Sequence, residues 1–480
     1  MALKVYSTLI REKTVFSPLV DGHVRMYVCG PTVYGHSHLG HAKSYVSFDV
    51  IVRYLRYLGY KVLYVQNITD VGHLLGDTNE GEDRILKQSR LEQKHPMEVA
   101  EEYTRSYFED MDALNVLRPD ISPRASGHIS EQIEMIEQLL KRGMAYEANG
   151  SVYFDVRSFA GYGKLSGRSI DEMEAGARVE IKSEKRHPAD FALWKKAEPE
   201  HIMRWPSPWG VGFPGWHVEC SAMSTKYLGP TFDLHGGGLE NQFPHHECEI
   251  AQAEGATGKP FVRYWLHNNM VTVSGQKMGK SLGNFTTLKD AFAKWRPEVI
   301  RLFILQSHYR STLDFSDEAV DAASTGLARL HNTLQSLRDH LSCSDMPAPT
   351  WSVDLSAFKL AFLRAMDDDF NTPQAIAVMY DLSREVNTKL SQGEGANPSH
   401  AHAILELFEE LLGRILGIRL DTISGGSNLE GGLMNLIIEL REELRAQKIW
   451  RLSDKIRESL NALGVGIDDK KGKTSWRKLK

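Results

Sequence analysis

The tightest limit on the fold comes from residues 24–69, which read strand, turn, helix, strand. Residues 24–29 form a short apolar run of strand character, broken by Gly30-Pro31-Thr32. Val46, Val50, Ile51, Tyr54, Leu55 and Leu58 then recur at three- and four-residue spacing, with Gly59 as a stop, which predicts a helix. Residues 61–69 are rich in Val, Leu, Tyr and Ile and read as a second strand. Such a βαβ unit is right-handed and belongs to a parallel sheet, whose ligand crevice lies beyond the carboxyl ends of the strands.

Further along, residues 76–83 read as an acidic, glycine-containing loop, 97–114 and 131–141 as helices, and 151–156 as a strand. Residues 205–216 hold too much Trp, Pro and Gly for a regular helix. After about residue 316 the pattern turns helical, with candidate helices at 317–341, 356–366, 372–390, 401–416 and 433–447, which predicts a bundle. Four glycines and two serines make 424–432 a candidate linker. The expected architecture is α/β. A Rossmann-type first half spans 1–115, an insertion 116–200 and a second half 201–315. A helical bundle follows at 316–424 and a small C-terminal module at 425–480.

A net charge of −5 excludes a protein that binds nucleic acid by bulk basicity, so any such contact needs local basic patches. No run of 18 or more apolar residues exists, and the N-terminus lacks the basic-then-apolar plan of a signal peptide, so a cytoplasmic protein with no membrane contact is expected. The four cysteines, Cys29, Cys220, Cys248 and Cys343, are scattered, which argues against a disulfide framework and leaves metal binding open.

Three constellations carry chemistry. His38-Leu39-Gly40-His41 lies in the turn between the first strand and the first helix, where amide groups and imidazoles can meet phosphate oxygens and Gly40 lets a flat base come close. Lys277-Met278-Gly279-Lys280-Ser281 places two lysines three apart in a glycine-rich loop, which suits a polyphosphate. Singly, the first reads equally well as surface histidines, and the second reads more readily as a solvated basic loop. In the third, His245 and Glu249 share one face of a helix starting after Pro244, and with Cys29 and Cys220 they make a plausible tetrahedral zinc set. The spacing does not detect that set, and each cysteine alone reads as a buried apolar residue. Cys248, three residues after His245, competes with Glu249. The last eleven residues hold six basic groups, no acid and Trp476, which suits RNA, although a short basic tail is commonly a solvated end.

Together the histidine and lysine motifs resemble the paired signature of class I aminoacyl-tRNA synthetases, His-Ile-Gly-His and Lys-Met-Ser-Lys-Ser, with Leu39 for Ile and Gly279 for Ser. The segments around Cys29, Cys220 and His245 are similar to those of cysteinyl-tRNA synthetases, and the similarity runs through almost the whole chain. The resemblance implies activation of L-cysteine by ATP with magnesium, then transfer to cysteine tRNA. His38, His41, Lys277 and Lys280 would be catalytic. Gly30, Thr32, His38, Gly40, His41 and Lys280 would contact ATP. One zinc ion would sit on Cys29, Cys220, His245 and Glu249 and bind the substrate thiolate, with Glu249 ahead of Cys248 because it matches the family position. Thr69, Trp216 and His235 would line the cysteine pocket. Trp476 and Arg477 would belong to a terminal anticodon-binding module that contacts the tRNA, and the family suggests a monomer. The chain departs from the usual pattern at 70–74 and at Leu239-Glu240. Two other readings fit parts of the sequence: a cysteine ligase acting on a small amino sugar, and a non-catalytic RNA-binding relative.

Overall fold

The computed structural model describes residues 2–71, 84–170, 184–199, 201–279, 283–342, 352–391, 398–420, 426–463, 465–470 and 473–478. The chain forms two compact units, Met1–Ile418 and Arg419–Lys480.

The first unit is organised by four parallel strands in the order Val262–Asn268, Phe232–Gly238, His23–Val28, Lys61–Gln66. Their inner residues, among them Met26, Tyr27, Val28, Val65 and Leu234, are buried, as expected of a parallel sheet covered on both faces. Helix Leu39–Tyr57 links the first two strands in sequence. It begins ahead of its first apolar repeat because His38 caps it. Helices Trp216–Leu228 and His245–Thr257 flank the second pair of strands.

A second sheet, antiparallel throughout, is built from Ala145–Ala148, Ser151–Phe154, Phe191–Lys196 and Gly212–Pro214. Its last strand comes from beyond residue 200, where the sequence placed the end of the insertion. The hairpin Lys4–Ser7 with Glu12–Val15 and the helix Arg84–Glu92 had no sequence prediction, being too short to show a period.

Helices Asp317–Ser342, Leu355–Asp367, Thr372–Ser391 and Pro398–Phe408 follow, the last continuing as π-helical turns over Glu409–Ile415. Buried Arg301, on helix Pro297–Leu305, fastens several parts of this unit together. Its guanidinium pairs with buried Asp49 on helix Leu39–Tyr57 and donates to the Leu416 carbonyl at 2.8 Å and the Leu114 carbonyl at 2.9 Å.

The second unit contains helices Gly426–Ala446 and Trp450–Ala462 and the hairpin Val465–Lys470 with Lys473–Lys478, around Met434, Leu460 and Ile467. The expected linker at 424–432 is corrected: from Gly426 onward its backbone is helical. Once the following residues nucleate a helix, extending it backward costs little. Among the described residues, no helix is long and apolar enough to cross a membrane.

Candidate active site and metal centre

The first sheet strand ends where the site begins. Cys29 directly follows it and still pairs through its backbone with Gly236 of the neighbouring strand, at 3.1 Å. Gly30 comes next, its N–H donating to Asn67 Oδ1 at 2.8 Å. A Cβ on Gly30 would lie 1.5 Å from the Asn67 carbonyl oxygen, so only glycine fits. Thr32 and Thr69 face each other across a parallel bridge, which aligns the two strand ends.

His38 caps helix Leu39–Tyr57. Its Nδ1 accepts from the Gly40 N–H at 3.0 Å, and His41 Nδ1 accepts from the His38 N–H at 3.3 Å. The rings stack with centroids 3.9 Å apart. An imidazole that accepts at Nδ1 carries its proton at Nε2, so both rings present N–H donors. Burial, with His38 alongside, holds His41 well below the usual histidine range, so it is neutral at pH 7. The close neighbour that requires a glycine at position 40 is the His38 ring, 2.9 Å from a Cβ placed there. Met278 Cε lies 3.9 Å from the same point, so the two motifs meet.

Lys277 is exposed on strand Gln276–Lys277, which pairs with Thr272 and Val273. Asn284 pins the loop: its Oδ1 accepts from the Gly279 N–H at 2.8 Å and its Nδ2 donates to the Lys277 carbonyl at 3.2 Å. Lys280 lies outside the described residues, and so do the side chains of Trp476 and Arg477, whose backbone is part of strand Lys473–Lys478.

Cys29, Cys220, His245 and Glu249 come together. One donor atom from each lies within 4.8 Å of all the others, and all four residues are buried. His245 and Glu249 sit one turn apart on helix His245–Thr257, with His245 Nε2 3.0 Å from Glu249 Oε1. Burial opposes charge on Glu249, but His235 and His245 outweigh it and hold the carboxyl down at about 2. Burial opposes charge on His245 too, and Glu249 and Cys220 lift it to about 10. Burial acts to raise the Cys220 thiol, yet Cys29 and His245 draw it down to about 6. Two sulfurs, an imidazole and an ionised carboxylate, all buried, fit a tetrahedral cation of borderline softness. The remaining ring nitrogen of His245 contacts His217 Nδ1 at 2.8 Å, the kind of partner that orients a ligating imidazole.

A second set, Cys29, His235, His246 and Glu249, satisfies the same distances and shares two members with the first. His235 Nε2 is 2.8 Å from Glu249 Oε2, and His246 Nε2 is 3.2 Å from Cys29 Sγ. Cys248 belongs to neither set. It contacts Tyr162 OH at 3.4 Å, and burial pushes its thiol far up. Trp216 stacks on His245 with centroids 4.1 Å apart. Thr69 donates its hydroxyl to buried Glu219 at 3.1 Å and accepts from Asn67 Nδ2 at 3.0 Å. Sequence reasoning missed His217, His246, His267, Asn67, Glu219 and Asn284. His246 stands three residues before Glu249 and His217 three before Cys220, spacings that share a helix face, while nearness to Cys220 and Thr69 is all that hints at Glu219 and Asn67.

Residues 15–325 match the family model described as "tRNA synthetases class I (C) catalytic domain", and residues 361–421 match the DALR domain. The chain is 56% identical to the cysteine–tRNA ligase of Chlorobium luteolum, covering 100% of both chains. It is 51% identical to that of Deinococcus radiodurans, covering 99% of this chain and 97% of the relative. Among solved structures it resembles Mycobacterium tuberculosis methionyl-tRNA synthetase in complex with methionyl-adenylate, with a TM-score of 0.60 over 82% of this chain and 92% of that one. At 14% identity that likeness speaks for the fold alone. Full-length identity to named relatives, on a parallel sheet that ends in a histidine-capped helix and a cluster of metal-ligand types, makes the chain a member of the cysteine–tRNA ligase family of class I tRNA synthetases.

Proposed function

We propose that this chain activates L-cysteine with ATP and transfers it to cysteine tRNA. The observation that carries the reading is the buried group of Cys29, Cys220, His245 and Glu249 at the end of the first sheet strand, next to the histidine-capped helix. A carboxylate oxygen of cysteine attacks the α-phosphorus of ATP, the bond from that phosphorus to the bridging oxygen breaks, and pyrophosphate leaves. The Nε2–H groups of His38 and His41 donate to phosphate oxygens, and Lys277 and Lys280 neutralise charge on the leaving group, with magnesium carried by ATP. A hydroxyl of the tRNA's terminal ribose then attacks the acyl carbon, and AMP leaves. No protein nucleophile is needed, and catalysis rests on positioning and charge.

Gly30, Thr32 and Gly40 are assigned to contact with ATP, while Thr69, Trp216 and His235 border the amino acid. Cys29, Cys220, His245 and Glu249 are assigned to one zinc ion. When bound, it supplies a soft Lewis acid that favours a thiol sulfur over the nearly isosteric hydroxyl of serine. Trp476 and Arg477, in the terminal hairpin, are assigned to the tRNA. The test is charging of cysteine tRNA with radiolabelled cysteine, with serine as control. Cysteine charging without serine charging is expected. Adenylate formation without charging would point instead to a small-acceptor ligase, and neither activity would point to a non-catalytic relative.

A further inference from the structure

Lys43 is a basic residue inside the protein, 1% exposed, two residues beyond His41 on helix Leu39–Tyr57. A buried ammonium is costly unless directional bonds hold it. Lys43 Nζ donates to two backbone carbonyls, Ser311 O in a very short contact and Met270 O at 3.3 Å. Both carbonyls lie just before strands of one small sheet. Met270 precedes Val271–Val273 and Ser311 comes shortly before Leu313–Phe315, and these two strands pair in parallel. Val271–Val273 also pairs with Gln276–Lys277, which carries the first lysine of the phosphate motif. Asp314 holds the hairpin from the other side, accepting from Thr272 Oγ1 at 2.7 Å and from the Gly275 N–H at 2.9 Å. Met270 O already accepts from the Leu313 N–H at 3.1 Å, so Lys43 takes its second lone pair.

We propose that Lys43 is a positioning residue for adenylate formation, fixing the base of the Lys277 hairpin to the helix that carries His38 and His41. A neutral side chain of the same length would fill the space, but it would leave the two strand ends free to shift against that helix. The charge is retained against its surroundings: burial draws the ammonium down to about 8, with Glu240 acting to raise it. The far end of the loop is tied to the same helix start, through the Leu288 N–H donating to Ser37 O at 2.8 Å. Lys43 therefore supplies the missing tie at the near end. The inference rests on the activity proposed above only for its kinetic readout.

The test compares Lys43→Met, Lys43→Gln and Lys43→Arg in the full-length protein by ATP–pyrophosphate exchange and by hydrogen exchange at the amides of 271–277. Lys43→Met should raise the KM for ATP about tenfold, as expected for losing bonds to a charged donor. The KM for cysteine and the zinc content should hold, and the 271–277 amides should exchange faster. Lys43→Arg should restore all of these to within about twofold, since it keeps charge and donors. If Lys43→Met does not fold, Lys43→Gln is read by the same measures. Unchanged amide exchange and ATP KM in a folded variant would overturn the assignment, as would an equal rise in both KM values. If the unsubstituted protein showed no pyrophosphate exchange, the proposed activity would fail, and the amide comparison would still decide Lys43.

Discussion

At the residue scale the site is a set of imidazoles whose roles follow from what their second nitrogen touches. His38 and His41 give Nδ1 to backbone N–H groups and so present Nε2–H. His245 turns one nitrogen to Glu249 and the other to His217. His246 likewise faces Cys29 with one nitrogen and His267 with the other, at 2.8 Å, and His267 rests on Thr8. If His217 orients a zinc ligand, His217→Ala should weaken zinc binding roughly 10–100-fold. Competition against a chelator of known affinity measures this, and unchanged affinity in a folded variant would remove the orienting role. The ligand-type residues of this layer were legible only in part. His245 and Glu249 share a helix face and so appear in sequence, and His246 and His217 stand three residues before Glu249 and Cys220 on the same helices, whereas His267 reaches the cluster through tertiary packing, which leaves no spacing to read.

At the element scale, long amphipathic helices such as Asp317–Ser342 and Thr372–Ser391 were legible to within a few residues because their apolar period repeats many times. The short strands Lys4–Ser7 and Gly212–Pro214 hold no more than two periods and were not. The polar fastening between elements was equally invisible: Arg301 and Asp49 are 252 positions apart and both lie on faces that read as core. Asp49 also accepts from Arg53 Nε and the Leu117 N–H, each at 2.8 Å. Arg301→Met should therefore destabilise the protein by about 3–5 kcal/mol, because it leaves a buried carboxylate short of its main counter-charge. Adding Asp49→Asn should recover part of that loss, since it removes the orphaned charge and keeps an acceptor for Leu117. Urea denaturation measures both. A double variant no more stable than the single would mean that lost packing, not the uncompensated charge, dominates.

At the scale of the whole molecule, charge and folding unit divide together. The chain carries a net charge of −5, yet its last eleven residues hold six basic groups and no acid, and the final hairpin belongs to the compact unit Arg419–Lys480. The sheet, the histidine-capped helix and the metal-ligand cluster all belong to Met1–Ile418. If adenylate formation needs only the first unit and the second adds affinity for tRNA, the two steps should come apart on truncation. A variant ending at Ile418 should keep ATP–pyrophosphate exchange within a fewfold of the full chain. Its half-saturating tRNA concentration should rise by roughly tenfold or more, because neutralising phosphates supplies much of the affinity for a nucleic acid. The slope of log affinity against log salt should flatten by about one for each phosphate that is no longer neutralised. Aminoacylation at graded salt reads the tRNA dependence, and pyrophosphate exchange reads the first step. An unchanged slope would place tRNA binding in the first unit, and loss of pyrophosphate exchange would show that the second unit supports the chemistry itself.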